Sequence, residues 1–458
     1  MRTLRVVFIF LLVIPLLGCN ADLIDSQVEP EPAIEINPAS ALFDEIVSIN
    51  LSGFSPGDLV TVRAKMRFSA GSIYESWASF VIDEKGEVDL SAQKPVDGTY
   101  DVIDVMGLFW SLEKRKDIDI EFSSGNIAEP RVITFIAEIK GNTVASKQVE
   151  RLLMLPDVTR ISVRENGLVG TLFLPSAESP KPAVIVLGGS GGGLGEGRAA
   201  ILASHGYAAF ALAYFGAESL PSNLTEIPLE YFERAIVWLQ EQDEVDAENI
   251  GVMGASRGGE LALLLGATFP EIKAVVAYLP SGMVWEGSDW ETNQSAWSYQ
   301  GVPLSFVPLV FTPEFKEYVN EQTAYGKPIA YTQLFLLNME DESIVEEAAI
   351  PVENINGPIL LISGSDDQMW PSTLFSEMVI ERLEQAEHSY AYLHLSYAGA
   401  GHGIGIPYGP TTVTQFYHPI TGEYIASGGN AVNNAFANAD SWPKVLDFLN
   451  AHLLNGFE

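Results

Sequence analysis

One strand–turn–helix stretch constrains this chain more than any other. It reads Ile250-Gly251-Val252-Met253-Gly254-Ala255-Ser256-Arg257-Gly258-Gly259-Glu260 and is followed by the apolar run at 261–265. The apolar, β-rich residues before Gly254 predict a buried strand, and the Ala/Leu-rich residues after Glu260 predict a helix. Between them lies Gly254-x-Ser256-x-Gly258. A residue at so sharp a strand-to-helix turn sits on a strained backbone with its side chain pushed out above the sheet. The flanking positions must be glycine because a Cβ would clash where strand and helix nearly touch. The N–H groups that open the helix point towards any oxyanion formed at the serine. The five-residue pattern is weak by itself; its strand-and-helix context gives it weight.

A serine hydroxyl is a poor nucleophile until a base takes its proton. The base should be a histidine beyond a late strand, oriented by a carboxylate beyond an earlier one. Of the six histidines, His402 alone lies in a small-residue loop, Ala398-Gly399-Ala400-Gly401-His402-Gly403, just past a strand-like run. His205, His388, His394, His418 and His452 all have adequate structural readings: His205 at a helix end, His394 inside a strand, His418 in a loop before Pro419. Asp366 and Asp367 compete for the acid, past the buried strand at 358–363. The spacing from Gly364 and to Pro371 selects Asp367, and Asp366 then caps the following turn. The order Ser256, Asp367, His402 is that of an α/β-hydrolase. The loop Gly188-Gly189-Ser190-Gly191-Gly192-Gly193 has neither a G-x-G-x-x-G in register nor a following P-loop lysine. Its bare N–H groups suit a second oxyanion donor, from Gly189 or Ser190, the first being the N–H of Arg257. Glu260, in the first helical turn, reads as a complement to the helix dipole. No Cys/His/Asp cluster has metal-ligand spacing, and no cofactor is called for.

Around this centre, apolar strands alternate with helices from about residue 158 to the end, which predicts a parallel sheet covered on both faces. Residues 33–157 instead carry alternating strands broken by turns such as Ser55-Pro56-Gly57-Asp58, which predicts an antiparallel β-sandwich. The expected fold is α/β: an α/β-hydrolase domain at 158–458 preceded by a β-sandwich domain at 33–157. The apolar knot Met106-Gly107-Leu108-Phe109-Trp110 reads as sandwich core. A segment at about 283–350, rich in rings such as Trp285, Trp290, Trp297 and Phe306, interrupts the alternation and is expected to cover the active-site edge as a lid.

The chain has 60 Asp+Glu against 25 Lys+Arg, a formal charge of −35 over 458 residues. That balance opposes nucleic acid and anionic membrane surfaces and favours solubility. The lone cysteine, Cys19, excludes an intrachain disulfide. Arg2 and Arg5 precede an apolar run at 6–17, too short to span a bilayer comfortably, ending in Leu16-Leu17-Gly18-Cys19. This resembles a bacterial lipoprotein signal at 1–18, with Cys19 lipidated, a tether at 19–32 and the protein anchored in the cell envelope. Oligomeric state is not legible.

Several stretches go beyond a fold pattern. They are Met106-Gly107-Leu108-Phe109-Trp110-Ser111-Leu112, Gly191-Gly192-Gly193-Leu194, Ala211-Leu212-Ala213-Tyr214-Phe215, Leu229-Glu230-Tyr231-Phe232, Gly254-x-Ser256-x-Gly258-Gly259-Glu260-Leu261 and Gly399-Ala400-Gly401-His402. Together they resemble the acyl-CoA thioesterase and bile acid-CoA:amino acid N-acyltransferase family. The resemblance, running from about residue 34 to the C-terminus, implies a β-sandwich on an α/β-hydrolase domain and acyl-CoA thioester hydrolysis by Ser256, Asp367 and His402. Acyltransferases of that family carry cysteine at the nucleophile; serine here, through an oxygen ester open to water, implies hydrolysis. An envelope carboxylesterase or acyltransferase would use the same triad, and a non-catalytic surface binding protein is a reading from another class.

Overall fold

Two burial rhythms divide the protein. Strand Leu59–Arg67 alternates buried and half-exposed residues along its length, the period-2 signature of a sheet with one face on a core. Strands Val169–Leu174 and Ile359–Gly364 are buried at every position, which requires cover on both faces. The computed structural model describes residues 31–67, 72–115, 126–176, 179–288 and 293–454. Arg2, Arg5, Cys19 and Trp290 lie outside them.

The alternating strands form two sheets. One orders Ala33–Asn37, Ser48–Ser52 and Val88–Asp89, and the other is seven-stranded around Leu59–Arg67, Ile73–Val81, Arg131–Ile139 and Asn142–Leu152. Pairing is antiparallel except where Ser40–Leu42 runs parallel to Asn142–Leu152. Ile49 and Leu51 of the small sheet share a core with Val60, Val62, Phe80 and Phe135 of the large one, giving the expected sandwich. The knot at Met106 is the short helix Gly107–Trp110, buried throughout. It also reaches the second half of the chain: the Thr411 N–H donates to the Trp110 carbonyl at 2.9 Å, and the Thr412 hydroxyl to the Leu112 carbonyl at 2.6 Å.

The second architecture is an eight-stranded sheet with helices on both faces. Its strands are β1 (Thr159–Val163), β2 (Val169–Leu174), β3 (Lys181–Leu187), β4 (Ala208–Ala213), β5 (Val245–Ala255), β6 (Ile272–Tyr278), β7 (Ile359–Gly364) and β8 (Tyr392–Tyr397). The spatial order is β1-β2-β4-β3-β5-β6-β7-β8. β1 and β2 are antiparallel, β2 meets β4 antiparallel, and β4 to β8 are all parallel. This is the α/β-hydrolase fold. The sheet reverses its winding at β3, and β5 sits centrally, so the loops after β3, β5, β7 and β8 gather at one edge, where parallel sheets place their sites.

Asp44 locks the sandwich to this body. One carboxylate oxygen takes hydrogen bonds from the Trp442 indole and the His205 ring, each at 2.6 Å. His205 is therefore held by a carboxylate rather than left to complement a helix end.

Residues 283–350 fall between β6 and β7 and carry helices Pro313–Ala324, Thr332–Asn338 and Glu342–Ala348. Trp285, Val307, Leu334 and Phe335 from this insertion pack with Trp370, Phe375 and Ile425 of the body in one apolar cluster.

Candidate active site

β5 ends at Ala255, and the helix Arg257–Thr268 begins two residues later. Ser256 carries the whole reversal at φ 58° and ψ −123°, a left-handed-side conformation that costs an ordinary residue of order 1–3 kcal/mol. The turn is held by the Ser256 N–H on the Tyr278 carbonyl at 2.9 Å and by the Ser256 carbonyl, which accepts from Gly259 at 2.8 Å and Glu260 at 3.0 Å. A Cβ at Gly254 would run into the Gly258 carbonyl, and one at Gly258 into the Gly188 carbonyl. The glycines are thus required by the closeness of strand, helix and neighbouring loop.

Asp367 follows β7 and His402 follows β8. Asp367 Oδ2 lies 2.8 Å from His402 Nδ1. The same oxygen accepts from the Ser372 hydroxyl at 2.6 Å, while Oδ1 accepts from the N–H groups of Met369 and Trp370 at 3.0 and 3.3 Å. Four donors around a buried carboxylate fix its plane. Asp366 instead points to the surface, where its carboxylate accepts from Gly429 N–H at 3.0 Å. The His402 ring packs edge-on against Trp370, and its backbone N–H donates to the Ser427 carbonyl at 2.7 Å. With Nδ1 turned to Asp367, Nε2 is the free nitrogen, buried and without a hydrogen-bond partner. Hydrogen bonds from nucleophile to base commonly tighten only once substrate is bound.

Ser256 opens into a cavity of about 60 Å³ whose walls include Leu309, Phe335, Met369, Trp370 and Ile425. The insertion supplies Leu309 and Phe335, as a lid would. The glycine loop after β3 passes beside Ser256: a Cβ added to Gly189 would lie 3.8 Å from Ser256 Oγ and 3.3 Å from its Cβ. Tyr214 holds this loop by donating to the Gly188 carbonyl at 2.6 Å. Arg257 occupies the first helical position, where its N–H has no intrahelical acceptor. Arg257 and the Gly189 loop thus both neighbour Ser256. Ser190 lines the cavity too, with its hydroxyl bonded to His418 Nε2 at 2.9 Å.

Two side chains do more than their positions in the sequence suggest. Glu260 is fully buried and accepts from the Trp297 indole at 2.7 Å, with Arg257 paired to it at 3.0 Å. Desolvation pushes its carboxyl up to about 7, against the pull of Arg257 and Trp297. It ties the elbow to the insertion, so a dipole role alone understates it. His418, read from the sequence as an ordinary loop histidine, is buried in the cavity wall. Its partner Ser190 lies 228 residues away in the chain, so no local spacing signals the pair.

Residues 227–455 match the family model described as BAAT / Acyl-CoA thioester hydrolase C terminal, and residues 44–165 match the Acyl-CoA thioester hydrolase/BAAT N-terminal region. Similar proteins include acyl-coenzyme A amino acid N-acyltransferase 1 of Mus musculus, 32% identical over 91% of this chain and 97% of that protein. Bile acid-CoA:amino acid N-acyltransferase of Mus musculus is 31% identical over 91% and 97%. Peroxisomal succinyl-coenzyme A thioesterase of Mus musculus is 29% identical over 90% and 94%. Among solved structures, a puromycin-hydrolyzing peptidase of Mycobacterium tuberculosis is similar at TM-score 0.43 and 13% identity, over 91% of this chain and 67% of that one. These relatives overturn the expected bacterial-envelope localisation through a lipidated Cys19. They are mammalian enzymes, one of them named as peroxisomal, and they match nine-tenths of this chain. An apolar run behind two arginines fixes local hydrophobicity, not a destination.

Proposed function

The chain belongs to the acyl-CoA thioester hydrolase/BAAT family, and from that premise we propose that it hydrolyses acyl-CoA thioesters through Ser256, His402 and Asp367. Residues 33–157 form the sandwich domain in this reading and residues 158–458 the catalytic one. Ser256 Oγ attacks the thioester carbonyl while His402 Nε2 takes its proton. Asp367 holds the ring through Nδ1–H and stabilises the imidazolium. The N–H of Arg257 and one from Gly189 or Ser190 bind the oxyanion. The C–S bond breaks, His402 returns the proton to the leaving thiolate, and an acyl ester remains on Ser256. Water, deprotonated by His402, then attacks that ester and releases the carboxylic acid and free Ser256.

The observation that carries this reading is the joint geometry of the elbow and the acid–base pair. Ser256 stands at positive φ between strand and helix, and the buried Asp367–His402 pair belongs to the loops after β7 and β8. The test is turnover of a matched series of CoA thioesters and simple oxygen esters by the wild type and Ser256→Ala, with fluorophosphonate labelling of Ser256. The expected result is labelling of the wild type, preference for thioesters and loss of turnover in a folded Ser256→Ala protein. Near-normal turnover by that variant would sink the assignment.

Two of the relatives are N-acyltransferases by name, which favours a second reading, transfer of the acyl group to an amino acid. Adding glycine to the assay separates the two: hydrolysis gives only the free acid, and transfer gives an N-acyl product in proportion to the acceptor.

A further inference from the structure

Resting on the assignment of Ser256 as nucleophile, we propose that the Ser190 side-chain hydroxyl is itself a catalytic hydrogen-bond donor to the oxyanion, aimed by His418 as a positioning residue. This hydroxyl is a donor distinct from any backbone N–H of the same loop.

His418 is 2% exposed and sits between the short strands Gln415–Tyr417 and Tyr424–Ala426. Its Nδ1 accepts from the backbone N–H of Thr421 at 3.2 Å. That nitrogen therefore carries a lone pair, and the proton of the neutral ring is on Nε2. Nε2–H then donates to Ser190 Oγ at 2.9 Å. A hydroxyl has one hydrogen, and with His418 acting as donor that hydrogen must point elsewhere. Among the described residues Ser190 Oγ has no second hydrogen bond. The hydroxyl lines the cavity that Ser256 and Arg257 line, and a Cβ added to its loop neighbour Gly189 would lie 3.8 Å from Ser256 Oγ.

A hydroxyl donor with its lone pair engaged and its proton unclaimed, set among apolar walls beside a nucleophile, is arranged for charge that appears only during reaction. Such a donor costs nothing to reorganise when the carbonyl oxygen becomes negative. Burial also holds the His418 ring well below its ordinary titration range. The ring therefore stays neutral through the working range, with a single N–H for Ser190.

The experiment measures kcat and KM separately on one CoA thioester for Ser190→Ala, Ser190→Thr, His418→Leu, His418→Gln and the double variant Ser190→Ala/His418→Leu. Circular dichroism and thermal unfolding keep folding in view. Ser190→Ala is expected to lower kcat roughly 10²-fold with little change in KM, as loss of one oxyanion donor does. Ser190→Thr, which keeps the hydroxyl, retains most of the rate. His418→Leu lowers kcat in the wild-type background but not further in the Ser190→Ala background, because it acts through Ser190. His418→Gln, whose amide still donates, recovers part of the loss.

Unchanged kcat in Ser190→Ala, or a loss confined to KM, overturns the proposal. So does an equal cost of His418→Leu in both backgrounds, the mark of a purely structural role. Ser190→Thr and His418→Gln keep the test decisive if leucine at 418 destabilises the fold. If Ser256→Ala also retains turnover, the parent reading has failed. If Ser256→Ala is inactive while Ser190→Ala is normal, only this inference has.

Discussion

The indole N–H of Trp297 donates at 2.7 Å to the carboxylate of Glu260, which lies four residues beyond Ser256 in sequence and wholly out of solvent. Arg257 completes the arrangement, pairing with Glu260 at 3.0 Å and donating to the Trp285 carbonyl at 3.2 Å. Trp285 and Trp297 both belong to the insertion. The helix that follows Ser256 is thus bolted to the segment that forms part of the cavity wall. A buried carboxylate tolerates such a place only while its donors are kept.

Trp297→Phe keeps an aromatic ring and removes the donor. It should cost about 1–3 kcal/mol of stability, the penalty for leaving a buried polar group short of a partner. Because the insertion forms part of the cavity wall, kcat/KM should fall as well. Chemical denaturation and steady-state kinetics on one preparation check both; a variant as stable as the wild type would show that the tie carries no weight.

Asp367→Asn should lower kcat by roughly 10⁴-fold, since the amide no longer holds the imidazole in its working tautomer or supports its charge. Asp366→Asn should leave the rate near wild type, because its carboxylate serves the Gly429 N–H at 3.0 Å and the Gln368 amide at 3.4 Å at the surface and not His402. Equal losses in both variants would mean that the acid has been assigned to the wrong neighbour.

Acid stability should report His418. Desolvation holds its folded value at about 4, below the ordinary 6.5. As pH falls through 6.5 the unfolded chain takes up this proton first, so stability present above 6.5 is lost progressively down to about 4. The loss is on the order of 3–4 kcal/mol at most, from about 1.4 kcal/mol per unit. His418→Gln should flatten this part of the curve, as measured by urea midpoints between pH 7 and 4. A variant with the same slope as the wild type would place the acid sensitivity elsewhere.

Chain-length preference should follow the cavity. A space of about 60 Å³ at Ser256 suits a short acyl group, given that one water occupies roughly 10–15 Å³ by the same kind of measure. In a matched CoA thioester series kcat/KM should peak at short chains, and Phe335→Ala should move the peak to longer ones. A wild-type rate that climbs steadily with length would show that the insertion yields to substrate.

The sequence by itself determined the frame. Period-2 burial in Leu59–Arg67 and continuous burial in Ile359–Gly364 were legible because side-chain rhythm is a local consequence of which faces are covered. Gly254-x-Ser256-x-Gly258 was legible for the same reason: a sharp turn demands glycines at fixed offsets. The pairing of Asp367 with His402 was legible through chain order, as each follows a strand of a parallel sheet. Tertiary structure decided what lies across the chain. Nothing near Glu260 in sequence announces Trp297, 37 residues on, and nothing near Ser190 announces His418. A hydrogen bond between distant loops depends on how strands are ordered and where an insertion folds back, and neither leaves a periodic trace. The same holds for His205, whose partner Asp44 comes from the other architecture. The physical line is between constraints a residue feels from its own backbone and those it meets only when the sheet brings a stranger within 3 Å.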